Sequence, residues 1–287
     1  RKGPLRAIVD ERNHVLHFTH EAESGVAVES IGWRKASTFP GFCSQHDSEI
    51  FSALERGPFF GSHEQCVLQA YRAVTNELYR KTALIESLIY QRDHVDRGFA
   101  VDEQIDFQLS CRANLEGQRK SRDELERWWY NLGVAIESGV LESLASKVFW
   151  FKGDVGIVSS AALHVEYDFA GNKLFDMWDL SLDAEMIAHS VMVSNDGGAI
   201  VFVWDGSSQI ADKLVRSFDE LPGEHKGDAF VQYCVLSCEN TYFSEIWWRE
   251  MTHQNQDFLL RLASLTYYEG GAFEPRSPLL VNWQFEG

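Results

Sequence analysis

The chain has 287 residues, 45% hydrophobic and 24% charged, an ordinary globular composition at a length that builds a core without disulfide or metal staples. Net charge is −17 and unevenly spread: residues 1–150 carry 18 Lys and Arg against 22 Asp and Glu, and residues 151–287 carry 8 against 21. An acidic second half repels phosphate backbones and anionic bilayers, so nucleic acid, if it matters at all, meets the first half.

The five cysteines, Cys43, Cys66, Cys111, Cys234 and Cys238, are odd in number and widely spaced, which reads as a reducing, cytoplasmic setting rather than a secreted disulfide framework. No signal peptide and no apolar run of about 18 residues is visible, so no membrane span is expected.

In chain order, Leu5–Val9 and His14–Phe18 flank the polar connection Asp10–Asn13 and predict a hairpin, with Val26–Trp33 as a third strand. Pro40-Gly41 signals a turn, and Ser44 or Asp47 caps a short helix over Ser48–Glu55. Ser62 with Gln65 three residues on forms a capping-box pattern. Val67, Tyr71, Val74, Leu78, Ile85 and Leu88 then follow helical spacing to about Asp93. Gly98 breaks the pattern, and a second helix is expected over Val101–Ser138, with apolar ends and a polar middle at Arg112–Glu124. Two long helices with a short connection predict an antiparallel helical hairpin whose polar middle faces solvent or a partner.

From Lys147 the periodicity turns to β. Val148–Phe151, Val155–Val158, a hairpin of Leu163–Phe169 with Lys173–Trp178, and another of Met186–Val193 with Ala199–Trp204 predict a sheet of four to six strands. Helices are expected over Gln209–Glu220, Asp228–Ser237, Ser244–Met251 and Gln254–Thr266, and a closing strand over Leu279–Phe285.

The densest concentration of ligand-type side chains is Thr38–Glu55. Cys43 and His46 have the Cys-x2-His spacing that lets one knuckle present two ligands to a tetrahedral zinc. A structural zinc takes four, and no clean second pair is visible; the competing reading is a turn with a buried cysteine and a hydrogen-bonded histidine. His46-Asp47 also resembles the His-Asp dipeptide of metal-dependent phosphohydrolases, with His63, Asp93, His94 and Asp96 on the following helices as further ligands. Glu77 and Lys81 form an i, i+4 pair, and Lys81 occupies a slot in the apolar stripe, where it must be paired or solvated. Glu77 is read either as half of that pair or as a carboxylate serving the Cys43–Asp47 turn. Cys234 and Cys238 share a helical face, and Trp128-Trp129 and Trp247-Trp248 are paired rings read chiefly as core. No phosphate-binding glycine loop, H-E-x-x-H or G-x-S-x-G is present.

These features read as an α+β chain: an N-terminal β-hairpin segment, a long antiparallel helical hairpin, an antiparallel sheet and C-terminal helices. The seam is placed between residues 1–147 and 148–287, with one continuous domain as the alternative. The expected function is a soluble cytoplasmic recognition or regulatory protein with a protein partner and a structural zinc at Cys43 and His46. The alternative is a metal-dependent hydrolase or nuclease using His46, Asp47 and Glu77, assisted by His63 or Asp93.

Overall fold

Side-chain alternation along the central strands decides how the layers stack. In the computed structural model, which describes residues 3–21, 25–55, 57–265 and 270–286, Ile187, Val191, Ile200, Phe202 and Trp204 join one core cluster. Their neighbours Met186, Ala188, Val201 and Val203 join another. The two strands that carry them, β5 (Met186–Val193) and β6 (Gly197–Asp205), are therefore covered on both faces, which is why they read as near-continuous apolar runs.

The sheet contains β1 (His14–Glu21), β2 (Gly25–Gly32), β3 (Leu144–Lys152), β4 (Ile157–His164), β5, β6, β7 (Thr241–Phe243) and β8 (Gln284–Phe285). Their order is β2-β1-β7-β4-β5-β6-β3-β8, and each pairing is antiparallel. Strands from both halves of the chain thus share one sheet, because β7 bridges β1 and β4. The helices are α1 (Ser44–Ile50), α2 (Ser52–Glu55), α3 (His63–His94), α4 (Val101–Ser138), α5 (Gln209–Asp219), α6 (Gly223–Ser237), α7 (Glu245–Glu250) and α8 (His253–Ala263). The α3/α4 hairpin covers one face and α5 and α6 the other, so the fold is an α+β sandwich. No helix among the described residues is long and apolar enough to cross a membrane.

Helix α3 is capped as its sequence implies: Ser62 Oγ accepts from the Gln65 N–H at 3.3 Å. The Gln65 side chain, however, turns back into the preceding loop, accepting from Phe60 N–H and donating to the Ala53 and Pro58 carbonyls. Between Gln65 and Asn76 nearly every residue of α3 is buried, because there the helix lies against both the sheet and α4. Beyond that only Ile85 and Leu88 are buried, against Leu115 of α4. The distal hairpin extends past the sheet and leaves Val101 (74% exposed), Ile105 (55%) and Leu109 (59%) as an i, i+4, i+8 apolar stripe. Helix α4 ends at Gly139, whose φ of 71° is the left-handed cap that glycine adopts without steric penalty.

Three local expectations differ. Leu5–Val9 forms a 3-10 turn over Pro4–Ala7 instead of a strand, and it is β2 that pairs with β1. Proline starts a helical turn readily, and the segment plugs Ile8 into the core. The closing strand expected over Leu279–Phe285 shortens to β8 (Gln284–Phe285), which pairs with β3. The 163–178 hairpin reduces to β4 ending at His164 and a single bridge between Tyr167 and Lys173. Asp168 takes over the turn, its carboxylate accepting from Ala170 N–H, Asn172 N–H and Asn172 Nδ2 at 2.8–2.9 Å. This side chain satisfies the backbone locally and displaces the strand ladder. Thr266, the last residue of the expected 254–266 helix, lies outside the described residues.

Candidate functional site

The end of β4 is where the two helical layers meet past the sheet, and it opens into a cleft of about 390 Å³. Glu77 and Lys81 reach it from α3, His164 and Glu166 from the end of β4, and Tyr233 and Cys238 from α6 and its C-terminus. Parity explains His164: it shares a face with Ala162, which packs under the hairpin, so its ring points toward α4.

His164 Nε2 lies 3.3 Å from Glu124 Oε2 but outside hydrogen-bonding alignment. Glu124, itself 5% exposed, is engaged elsewhere: Oε1 accepts from Ala184 N–H at 3.0 Å and lies 3.5 Å from Lys120 Nζ. Burial first, then the ammonium groups of Lys81 and Lys120, push the imidazole down to a pKa of about 4, so it is neutral at pH 7. The nearby carboxylate pulls the other way and is outweighed, since its charge is already compensated by Lys120. Burial also raises Glu77, against the opposing pull of Lys81 and Arg80, and raises Glu166 against Lys173. It pushes the Tyr233 phenol and the Cys238 thiol well up. Such perturbed groups in one cleft mark a functional-site candidate.

Polar satisfaction points to the same place. Among the described residues, Glu166 Oε1 and Tyr233 Oη, like His164 Nε2, are buried without a hydrogen bond. Lys173 Nζ stands 3.7 Å from Glu166 Oε1, close enough for charge attraction only. Lys81 spends its ammonium on Gln118 Oε1 at 2.9 Å, which answers how a lysine sits in an apolar stripe.

The residues singled out from sequence are dispersed. Cys43 precedes α1 and His46 lies on it; both are exposed and neither side chain makes a hydrogen bond or ion pair among the described residues. They stay open as a zinc half-site, but no group of three or more His, Cys, Asp or Glu among the described residues is arranged to hold a metal. Asp47 meets Arg72 at 3.5 Å, and the same guanidinium pairs with Glu55 at 2.9 Å and covers the Phe51 ring. The Thr38–Glu55 stretch is thereby anchored on α3, with Phe42 and Phe51 packed beside Tyr71. Glu77 faces the cleft, not this turn. His63 uses both ring nitrogens structurally, on Ser146 Oγ at 2.7 Å and the Leu141 carbonyl at 3.1 Å. Asp93 pairs with Arg92 near the hairpin tip, about 24 Å along the helix axis from Glu77 at about 1.5 Å per residue. Cys234 and Cys238 are buried beside His189 Nε2, at 4.0 and 3.7 Å, and Ser159 Oγ bonds the same nitrogen at 3.0 Å.

Sequence reasoning missed His164, Glu166, Tyr233 and Glu124. Two left a trace: Glu124 stands four residues before the stripe residue Trp128, and His164 alternates with Leu163 and Val165 in an apolar run. No protein-family model, curated protein or solved structure matches this chain.

Proposed function

We propose that this is a recognition protein whose binding site is the cleft at the root of the helical hairpin, and that it takes a small molecule bearing a protonated amine. One observation carries the reading. Of the six buried side-chain atoms without a hydrogen bond among the described residues, three belong to residues lining this cleft: His164 Nε2, Glu166 Oε1 and Tyr233 Oη. Leaving such a group unpaired costs about 1–3 kcal/mol, a large sum against a total stability of about 5–15 kcal/mol, and a ligand that pairs them removes it.

The amine follows from the balance of charge. Glu166 stands 3.7 Å from Lys173 and Glu239 pairs with Arg80 at 2.9 Å, so Glu77, raised by burial and in no ion pair among the described residues, is the lining carboxylate left for a cation, while His164 is neutral. Carboxylates whose pKa is raised by burial gain most from a cation brought among them. The same reading gives the hairpin a protein partner, supported by the exposed stripe of Val101, Ile105 and Leu109.

Thermal melting against a panel of small amines and their hydroxyl counterparts tests the cleft. An amine at about 100 times its dissociation constant stabilises by about 2.7 kcal/mol, which is about 4–5 °C for a chain of this length. The shift is expected to vanish in the Glu77→Gln/Glu166→Gln protein. No shift with any amine, or an equal shift in the double variant, refutes the proposal.

A further inference from the structure

A second concave site lies at the base of the β1–β2 hairpin, away from the cleft. Its volume is about 390 Å³, and Arg6, Asn13, His14, Trp33, Arg34 and Lys35 are among its lining residues, with no acidic residue among them. The local chain explains the gathering. The 3-10 turn delivers Arg6, Asn13 sits in a left-handed turn at φ 62° before β1, and the backbone after β2 folds over as Lys35 N–H bonds the Gly32 carbonyl at 2.8 Å. The Trp33 N–H donates to the Asn13 carbonyl at 3.0 Å and ties the two ends of the hairpin together.

Among the described residues, twelve Lys and Arg side chains pair with a carboxylate. Arg6, Arg34 and Lys35 form no ion pair among the described residues. The nearest ordering influence on the two guanidinium groups is the half-buried indole of Trp33, with Arg6 Cζ 5.5 Å and Arg34 Cζ 5.7 Å from its ring centre. A cation over an aromatic face is held by about 0.5–1 kcal/mol at an exposed site, which restrains the fork without neutralising it. Guanidinium groups so placed keep their donors for an oxyanion, and two of them beside an ammonium match a phosphate better than a single carboxylate. At physiological ionic strength the chain's distant carboxylates are screened beyond about 8 Å; the near one, Asp10, bonded to the His14 N–H at 2.7 Å, is paired with Arg12 at 3.1 Å, which leaves Arg6, Arg34 and Lys35 in excess.

We infer that the base of the β1–β2 hairpin is a phosphate-binding site, built by Arg6, Arg34 and Lys35 around Trp33. The shared chemistry is the phosphate group, whether free or part of a single-stranded nucleic-acid backbone.

The test uses the full chain with two probes: inorganic phosphate, followed by calorimetry, and a fluorescent ten-residue oligothymidylate, followed by anisotropy between about 50 and 200 mM salt. Three cations on a single strand give a slope of log affinity against log salt of about −2, at about −0.7 per contact. In the Arg6→Ser/Arg34→Ser protein the slope is expected to fall to about −0.7, and affinity for either probe by at least about ten-fold. Arg97→Ser/Arg112→Ser, an equal charge change on the hairpin, is expected to leave both values in place. Binding of both probes, weakened alike in the first variant, identifies phosphate itself as the ligand; binding of the oligonucleotide alone identifies the strand backbone. Absence of binding to both probes, or equal weakening in the hairpin variant, overturns the inference. Because Arg6, Arg34, Arg97 and Arg112 are all exposed, melting temperatures are expected to coincide, which separates loss of binding from loss of fold.

Discussion

Lowering the pH from 7 to 5 tests the electrostatics of the cleft through His164. The imidazole has a pKa of about 4 in the folded protein against 6.5 for a free side chain, because burial and the Lys81 and Lys120 ammonium groups disfavour its charge. Between those values the unfolded chain binds a proton that the folded chain does not, so stability falls as pH falls. At pH 5 the loss relative to pH 7 is about 2 kcal/mol, approaching about 3 kcal/mol near pH 4. Glu77 and Glu166 act in the opposite sense, since their raised pKa values make the folded state the better proton binder above the ordinary carboxylate range. The comparison of wild type with His164→Gln removes that contribution. Urea unfolding at pH 7, 6 and 5 is expected to show the variant gaining about 2 kcal/mol on the wild type across the series. An imidazole that titrates at or above 6.5 by NMR, with parallel pH profiles for the two proteins, refutes the reasoning: the Glu124 carboxylate at 3.3 Å would then govern the ring.

Three further outcomes follow from single contacts. Tyr233→Phe removes a buried hydroxyl that has no hydrogen-bond partner among the described residues, while the ring keeps its packing against Phe169 and Phe230. It is expected to stabilise by about 1 kcal/mol, read as a rise of about 2 °C in the melting midpoint; a fall of similar size would show the hydroxyl to be satisfied. Asp228, 1% exposed, accepts from the Arg276 N–H at 2.6 Å and the Leu280 N–H at 2.8 Å and so pins the C-terminal segment to α6. Asp228→Ala strands those donors and is expected to cost about 3 kcal/mol in denaturant unfolding, with a cost below about 1 kcal/mol speaking against the pin. Ile105→Asp/Leu109→Asp, on the open stripe of α4, is expected to change stability by no more than about 0.5 kcal/mol per site; a larger loss would show the stripe to be packed.

Much of the fold was legible because local patterns and tertiary packing agree. The Ser62 cap, the spacing from Val67 to Leu88 and the break at Gly98 mark α3 and α4 within a residue or two. The pair of Met186–Val193 and the strand ending in Trp204 was legible from Asn195–Gly198 between them. The 163–178 hairpin was misread because its turn signal is genuine, but Asp168 satisfies that turn without a ladder.

The candidate site was far less legible, for a reason of distance. Glu77, Glu124, His164, Glu166 and Tyr233 lie on four separate segments, and their chemistry comes from mutual burial that no local window contains. Cys43 and His46 are close in sequence and share a ligand-type spacing, yet they stand exposed at the start of α1. The sequence by itself determined the two long helices, the strand runs and the acidic bias of the second half, since these depend on periodicity and composition. Only the tertiary structure decided which strands pair, which polar groups are left without partners and which carboxylates are desolvated. Those properties arise when distant segments exclude water from one another, and a linear pattern carries no measure of that exclusion.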